Sequence, residues 1–315
     1  MKASVVAVGD ANVDLIAPVE FLPGEGGEVS TSKLHKCAGG SAANLCVALA
    51  RLGLGSRFIG RVGDDSLGHF LIDNFRKEKV DISQLQIDGK VGTGLQFIAI
   101  TRDGERTMYG FRGANICLAA DEIDMGCVKS SRILHISGYA LLSDPQRKTT
   151  MKILRVARGA GALVSLDVGV LPATRATNRV CSILRYVDVL FLGEREASAL
   201  VGTKKPEKAA KDLLKFGPKI VALKLGMKGC FILTEMERVR SPAFPIKVVG
   251  TTGAGDAFDA GFLTGVIGEW GLKRTARFAN AIGGLSTTKI GAQSALPNML
   301  EVKRFLRRFG NAEVA

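Results

Sequence analysis

The chain has 315 residues, 46% hydrophobic and 23% charged, which is ordinary globular composition with length for one large domain or two modest ones and excludes a disordered chain. Its formal net charge of +13 draws any anionic partner, whether nucleic acid, lipid headgroup or phosphorylated ligand, but the 43 Lys and Arg form no run of five and aromatics are only 6%, so a nucleic-acid platform is not the reading. No stretch of 18 apolar residues occurs, and no membrane-spanning helix is expected.

The N-terminus, MKASVVAVGDANVD, carries an apolar run that stops at Asp10, too early and too acidic for a signal peptide, which places the protein in the cytoplasm. Residues 4–9 (SVVAVG) form a short β-branched run closed by glycine, the pattern of a buried parallel strand. Residues 40–53 follow with Leu45, Ala48, Leu49 and Leu52 on one helical stripe and Gly53 as a stop. Strand-like runs at 57–62, 132–137, 163–168, 187–192, 219–225 and 229–234 then alternate with helical stretches near 65–78 and 145–158. That alternation predicts an α/β fold, a doubly wound, mostly parallel sheet with helices on both faces. Two segments break the rhythm, 11–36 and 92–112. The second contains TGLQFIAITRDGERTMYGF, two strand-like runs around Asp103-Gly104, a strong hairpin signal. They read as a small β-sheet projecting from the main body, either a lid over a site or an edge extension that serves as a dimer surface.

Six cysteines (Cys37, Cys46, Cys117, Cys127, Cys181, Cys230) form no C-x-x-C pair, and the three histidines are scattered. A chain of this length reads them as small hydrophobes in a reducing compartment, with no zinc site.

Ligands in open α/β sheets bind at the carboxyl ends of the strands, and the richest such turn is VVGTTGAGDAFDAGFLTG (248–265). A strand ends, glycines follow, and a helix begins, supported by Phe258, Phe262, Gly265 and Val266. Gly253, Ala254, Gly255 and Asp256 therefore sit at a helix N-terminus, a ready anion site. Gly250 and Gly255 have Walker A spacing, but Asp256 stands where that loop has lysine. A carboxylate there either caps the helix or takes a proton from an attacking hydroxyl.

GTTGAGDAFDAGF resembles the C-terminal signature of the ribokinase-like (PfkB) carbohydrate kinases, and AGGSAANLCVALARLG (38–53) resembles their N-terminal one. The resemblance covers nearly the whole chain. It implies a single three-layer αβα domain over 1–315 with a β lid, and an ATP-dependent transfer to a sugar hydroxyl. By the same resemblance Asp256 is the base, and the amides of Gly253, Ala254, Gly255 and Asp256 hold the transferring phosphate. Asn12, Asp14, Gly39, Gly40 and Asn44 cradle the sugar. Lys224, Gly226 and Gly229, in KLGMKG, and Asn280 border the nucleotide. Gln96, Tyr109 and Arg112 lie on the lid hairpin, where Arg112 suits the carboxylate of a sugar acid.

Three departures qualify the match. Gly250 replaces an aspartate of the monovalent-cation site, so a potassium requirement is not carried over. Gly193-Glu194-Arg195-Glu196 keeps only the glutamate of the N-x-x-E magnesium motif, leaving Glu196 to act on magnesium through water. Ser137-Gly138 stands where ribokinases have a glutamate, which points from ribose toward fructose or 2-keto-3-deoxygluconate. The expected partners are a sugar, ATP and Mg2+, with no nucleic acid and no membrane, and a homodimer through the lid. A nucleoside kinase is the alternative, with Phe97, Tyr109 and Phe111 as the base slot. A non-enzymatic sensor conflicts with the intact Asp256.

Overall fold

The computed structural model describes residues 4–103 and 105–310, with Arg106 in its backbone alone. The β-branched runs pair as strands β1 (Val5–Val8), β4 (Ser56–Gly63), β5 (Asp81–Asp88), β8 (Ile133–Ser137), β9 (Leu163–Asp167), β10 (Val189–Gly193), β11 (Ile220–Lys224), β12 (Cys230–Leu233) and β13 (Arg238–Ser241). They make one nine-stranded sheet in the order β13-β12-β11-β10-β9-β8-β1-β4-β5. Pairing is parallel from β11 to β5, while β12 and β13 add antiparallel at the edge. Central strands such as Val5–Val8 are buried on both faces, because helices cover each side and leave no solvated face to alternate toward. Two hydrophobic clusters fill the two layers. One holds the helices Ser41–Arg51, Ala254–Ile267 and Leu272–Leu285 against the sheet, and the other holds Gln146–Gly159 and Pro206–Leu214.

Two strands of this sheet escape the pattern reading. Strand β5 (DISQLQID) lies at the edge with mixed burial, so its polar residues satisfy a half-solvated surface. Strand β13 (RVRS) buries only Val239 and Ser241.

A second sheet has four strands, β2 (Asn12–Pro18), β3 (His35–Gly39), β6 (Gly94–Ile100) and β7 (Arg106–Phe111), ordered β3-β2-β6-β7. It coincides with the two irregular segments, except that β3 runs on to Gly39. Strands β6 and β7 form the expected antiparallel hairpin, although Gly104 of its turn lies outside the described residues.

The helix Ala254–Ile267 is apolar nearly all round, with Ala257 to Gly265 buried. Phe262 meets Phe191 of β10 edge-on at 5.3 Å, which ties this helix to the middle of the sheet. Truncation there leaves a cavity that neighbouring strands cannot fill. Phe262→Ala should destabilise the protein by about 3–5 kcal/mol, read from urea unfolding midpoints, and a loss under about 1 kcal/mol would refute this account of the core.

Candidate active site

The carboxyl ends of β1, β8, β9, β10 and β11 open on one edge, where the N-termini of Ser41–Arg51 and Ala254–Ile267 meet. Gly253 caps the second helix at φ 81, a left-handed turn that L side chains resist. A Cβ there would stand 3.0 Å from the Ala292 backbone. The first intrahelical bond is Ala257 N–H to Gly253 O at 2.9 Å, so the N–H groups of Gly255 and Asp256 precede the ladder and point with the dipole at the cleft. Ala254 N–H instead donates to Thr251 O at 3.3 Å, which narrows the four-amide cradle expected from sequence.

Asp256 sits half-buried in the first turn of this helix. Its Oδ2 accepts from Asn44 Nδ2 at 2.7 Å. Burial, then the charge of Asp167, pushes its pKa up to about 6, against the opposing pull of Asn44 and Lys224. Asn44 is 4% exposed, and its other side-chain atom, Oδ1, is a buried acceptor without a protein partner. It is therefore placed to accept from a ligand hydroxyl. Gly40, before that helix, has φ 98, and a Cβ would lie 2.3 Å from Asp10 O. Only glycine lets the chain turn this tightly against β1.

The small sheet supplies the facing wall. Register puts Asn12, Asp14, Gly39, Gln96 and Gly110 on one face, since Asn12 pairs with Gly39, Asp14 with Gln96, and Gln96 with Gly110. Asp14 is 4% exposed and its carboxylate presses on Gly39, where a Cβ would be 2.4 Å away. Burial and then the charge of Asp256 raise its pKa to about 7. Asn12 Oδ1 accepts from Asn115 Nδ2 at 2.9 Å, which fixes the amide and leaves its Nδ2 as donor. Asn115 is a fully buried residue that no sequence signal marks.

Two residues expected in this wall go elsewhere. Tyr109 pairs with Phe97, on the face opposite Asp14, and is 65% exposed. Arg112 turns inward. Its Nε and Nη2 each donate to Asp10 at 2.9 Å, and Nη2 also reaches Gln146 Oε1 and Tyr139 O. This buried pair pins the end of β7 to β1, so Arg112 is a fastening before it is a receptor for an acid. Tyr139, unmarked by the sequence, lies where burial and then the charges of Asp167 and Asp256 push its phenol up to about 12.

Beside the helix Ala254–Ile267 is a cavity of about 410 Å³, lined by Lys224, Gly226, Gly229, Asn280, Phe244 and Ile246 among others. All four residues expected at a nucleotide lie here. Asn280 Nδ2 donates to Ser241 O at 2.9 Å and Ser241 Oγ at 3.0 Å, so it braces the cavity wall. Glu196 is half-buried in the first turn of Glu194–Val201, its carboxylate folded against Gly193 at the tip of β10.

A profile described as pfkB family carbohydrate kinase matches residues 2–299. The chain is 33% identical over 312 residues to a fructokinase-2 of Zea mays, across 94% of this chain and 91% of that protein. It superposes on a ribokinase of Thermotoga maritima with TM-score 0.85 at 29% identity, covering 97% and 99% of the two chains. A fructokinase with bound ATP from Xylella fastidiosa matches with TM-score 0.86 at 25% identity, covering 98% and 100%.

The Asn44 hydrogen bond favours the ionised form of Asp256, so Asn44→Ala should raise the Asp256 pKa above about 6. Carboxyl ¹³C chemical shifts followed against pH read this directly, and an unmoved titration would refute the pairing.

Proposed function

We propose that this chain, which belongs to the pfkB family of carbohydrate kinases, transfers the γ-phosphate of ATP to a hydroxyl of fructose, with Asp256 as general base. The observation that carries the reading is a carboxylate held by Asn44 at 2.7 Å in the same helical turn as two unladdered amides, with burial pushing its pKa up to about 6. A base poised near the working pH takes the proton of the attacking hydroxyl. As the oxygen–phosphorus bond forms and the bond to ADP breaks, the Gly255 and Asp256 N–H groups meet the phosphoryl oxygens where charge accumulates. Asp14, the Asn12 amide, Asn44 Oδ1 and Gln96 offer the donors and acceptors that adjacent hydroxyls of a polyol require. The small sheet acts as the lid that excludes water from the transfer.

Fructose is favoured over ribose and over a sugar acid. Gly138 has no room for the glutamate of ribokinases, since a Cβ there would stand 2.0 Å from Val168 O. Arg112, the candidate carboxylate receptor, is ion-paired with Asp10, with Nη1 alone left without a protein partner. The maize and Xylella proteins bear the fructokinase name. The exposed Phe97, Tyr109 and Phe111, on the outer face of the lid, suit a second copy of the chain. The six free cysteines suit the reducing cytoplasm.

Magnesium, when bound, neutralises charge across the β and γ phosphates. Among the described residues no three His, Cys, Asp or Glu have metal-site geometry. Glu196 would be the residue to hold such an ion, through water, and the ion would supply charge neutralisation to the phosphates. Potassium does not fit in the same way. Gly250 brings no carboxylate to such a site.

A coupled ADP-release assay should show fructose turned over in preference to 2-keto-3-deoxygluconate, ribose and nucleosides. Asp256→Asn should cut kcat by about 10²–10⁴-fold. A variant keeping half of wild-type turnover sinks the base assignment, and a preference for a sugar acid or nucleoside sinks the substrate. EDTA should abolish activity, and potassium titrated into tetramethylammonium buffer at fixed ionic strength should leave it unchanged. Several-fold potassium stimulation would overturn the cation half of this expectation.

A further inference from the structure

Three carboxylates and one ammonium crowd the floor of the transfer site, and the mechanism above uses only one of them. Lys224 ends β11, in register with Gly193 of β10. Its Nζ lies 2.8 Å from Asp167 Oδ1, at the tip of β9, and 3.2 Å from each oxygen of Asp259. Asp259 is three residues after Asp256 on the same helix and wholly buried. The ammonium also rests against the helix's first turn, 3.2 Å from where a Cβ of Gly255 would be, and it lines the nucleotide cavity.

We propose that Lys224 is a catalytic residue that meets the transferring phosphoryl group, and that Asp167 and Asp259 are the positioning residues that aim it. The inference rests on the kinase reading above. An ammonium has three donors in fixed directions. Asp167 and Asp259 take two, and the third is left for a ligand oxygen beside the Gly255 amide. One carboxylate suffices to neutralise a structural lysine. Here two acceptors hold the ammonium from two sides, Asp167 from β9 and Asp259 from the helix, which fixes where it points. Burial alone lowers the lysine's pKa, but Asp167 and then Asp259 override it and hold the group above the ordinary lysine range. Lys224 therefore keeps its proton throughout. The hydroxyl oxygen bonds to phosphorus, its proton passes to Asp256, and the electron pair of the broken bond leaves on the terminal oxygen of ADP. The Lys224 charge stays against the phosphoryl oxygens as that exchange occurs.

Lys224→Met/Asp259→Asn removes one charge of each sign, and Lys224→Gln keeps a donor toward both carboxylates. Each should lower kcat by about 10²–10³-fold, as loss of a transition-state donor does. The KM for the sugar should stay within about threefold, because the lysine faces phosphate and not sugar. Calorimetry should show ADP–aluminium fluoride binding weakened by a comparable factor, with ADP affinity unchanged. A merely structural lysine would move both affinities or neither. Either variant, folded by circular dichroism and keeping more than about a tenth of wild-type kcat, overturns the proposal. An inactive wild type in the same assay would overturn the kinase reading and this inference together, whereas active variants beside an active wild type overturn this inference alone.

Discussion

The bond from Asn44 to Asp256 holds together two helix N-termini that lie 212 residues apart in the chain, and the chemistry of the site depends on it. A carboxylate drawn out of water loses its proton reluctantly. Here burial pushes it up while the Asn44 amide and the Lys224 ammonium pull it down, and the balance stands near 6. Gly40 and Gly253, each at a positive φ that side chains disfavour, let the two helices start close enough for the contact.

Charge is divided between surface and site. The chain as a whole carries +13, but the cleft collects Asp10, Asp14, Asp167, Asp256, Asp259 and Glu196 around Lys224 and Arg112. A positive exterior raises the local concentration of a polyanionic nucleotide. On the proposed reading, the acidic interior suits a nucleotide accompanied by a divalent cation and offers acceptors to a hydroxyl partner. The same sheet edge does structural work through Arg112, whose ion pair with Asp10 fixes the small sheet to the large one. The proposed substrate wall and the attachment of the small sheet thus share one corner of the fold.

Much of this was legible beforehand, for a physical reason. The β-branched runs of β1, β8, β9, β10 and β11 are buried on both faces, so composition alone marks them. The glycine-rich turn before Asp256 is marked because close approach of backbone to a ligand admits little else. Strand β5 was not legible, since an edge strand satisfies half its surface with water and reads like a loop. The hydrogen-bond partners of Arg112 and Asn280 were not legible. Both lie near the expected ligands, but their donors go to Asp10, Gln146 and the Ser241 backbone, partners that no local pattern announces.

The sequence by itself therefore determined the α/β class, the position of the glycine-led helix start and the identity of its acid residue, because each follows from neighbours within a few positions. Only the tertiary structure decided which carboxylates surround Lys224, which face of the lid carries Asp14, and that Tyr109 looks away from the site. Those facts depend on strand register and on contacts across 35 to 212 residues. A side chain's charge state and direction are set by what packs against it, and packing is not a local property of the chain.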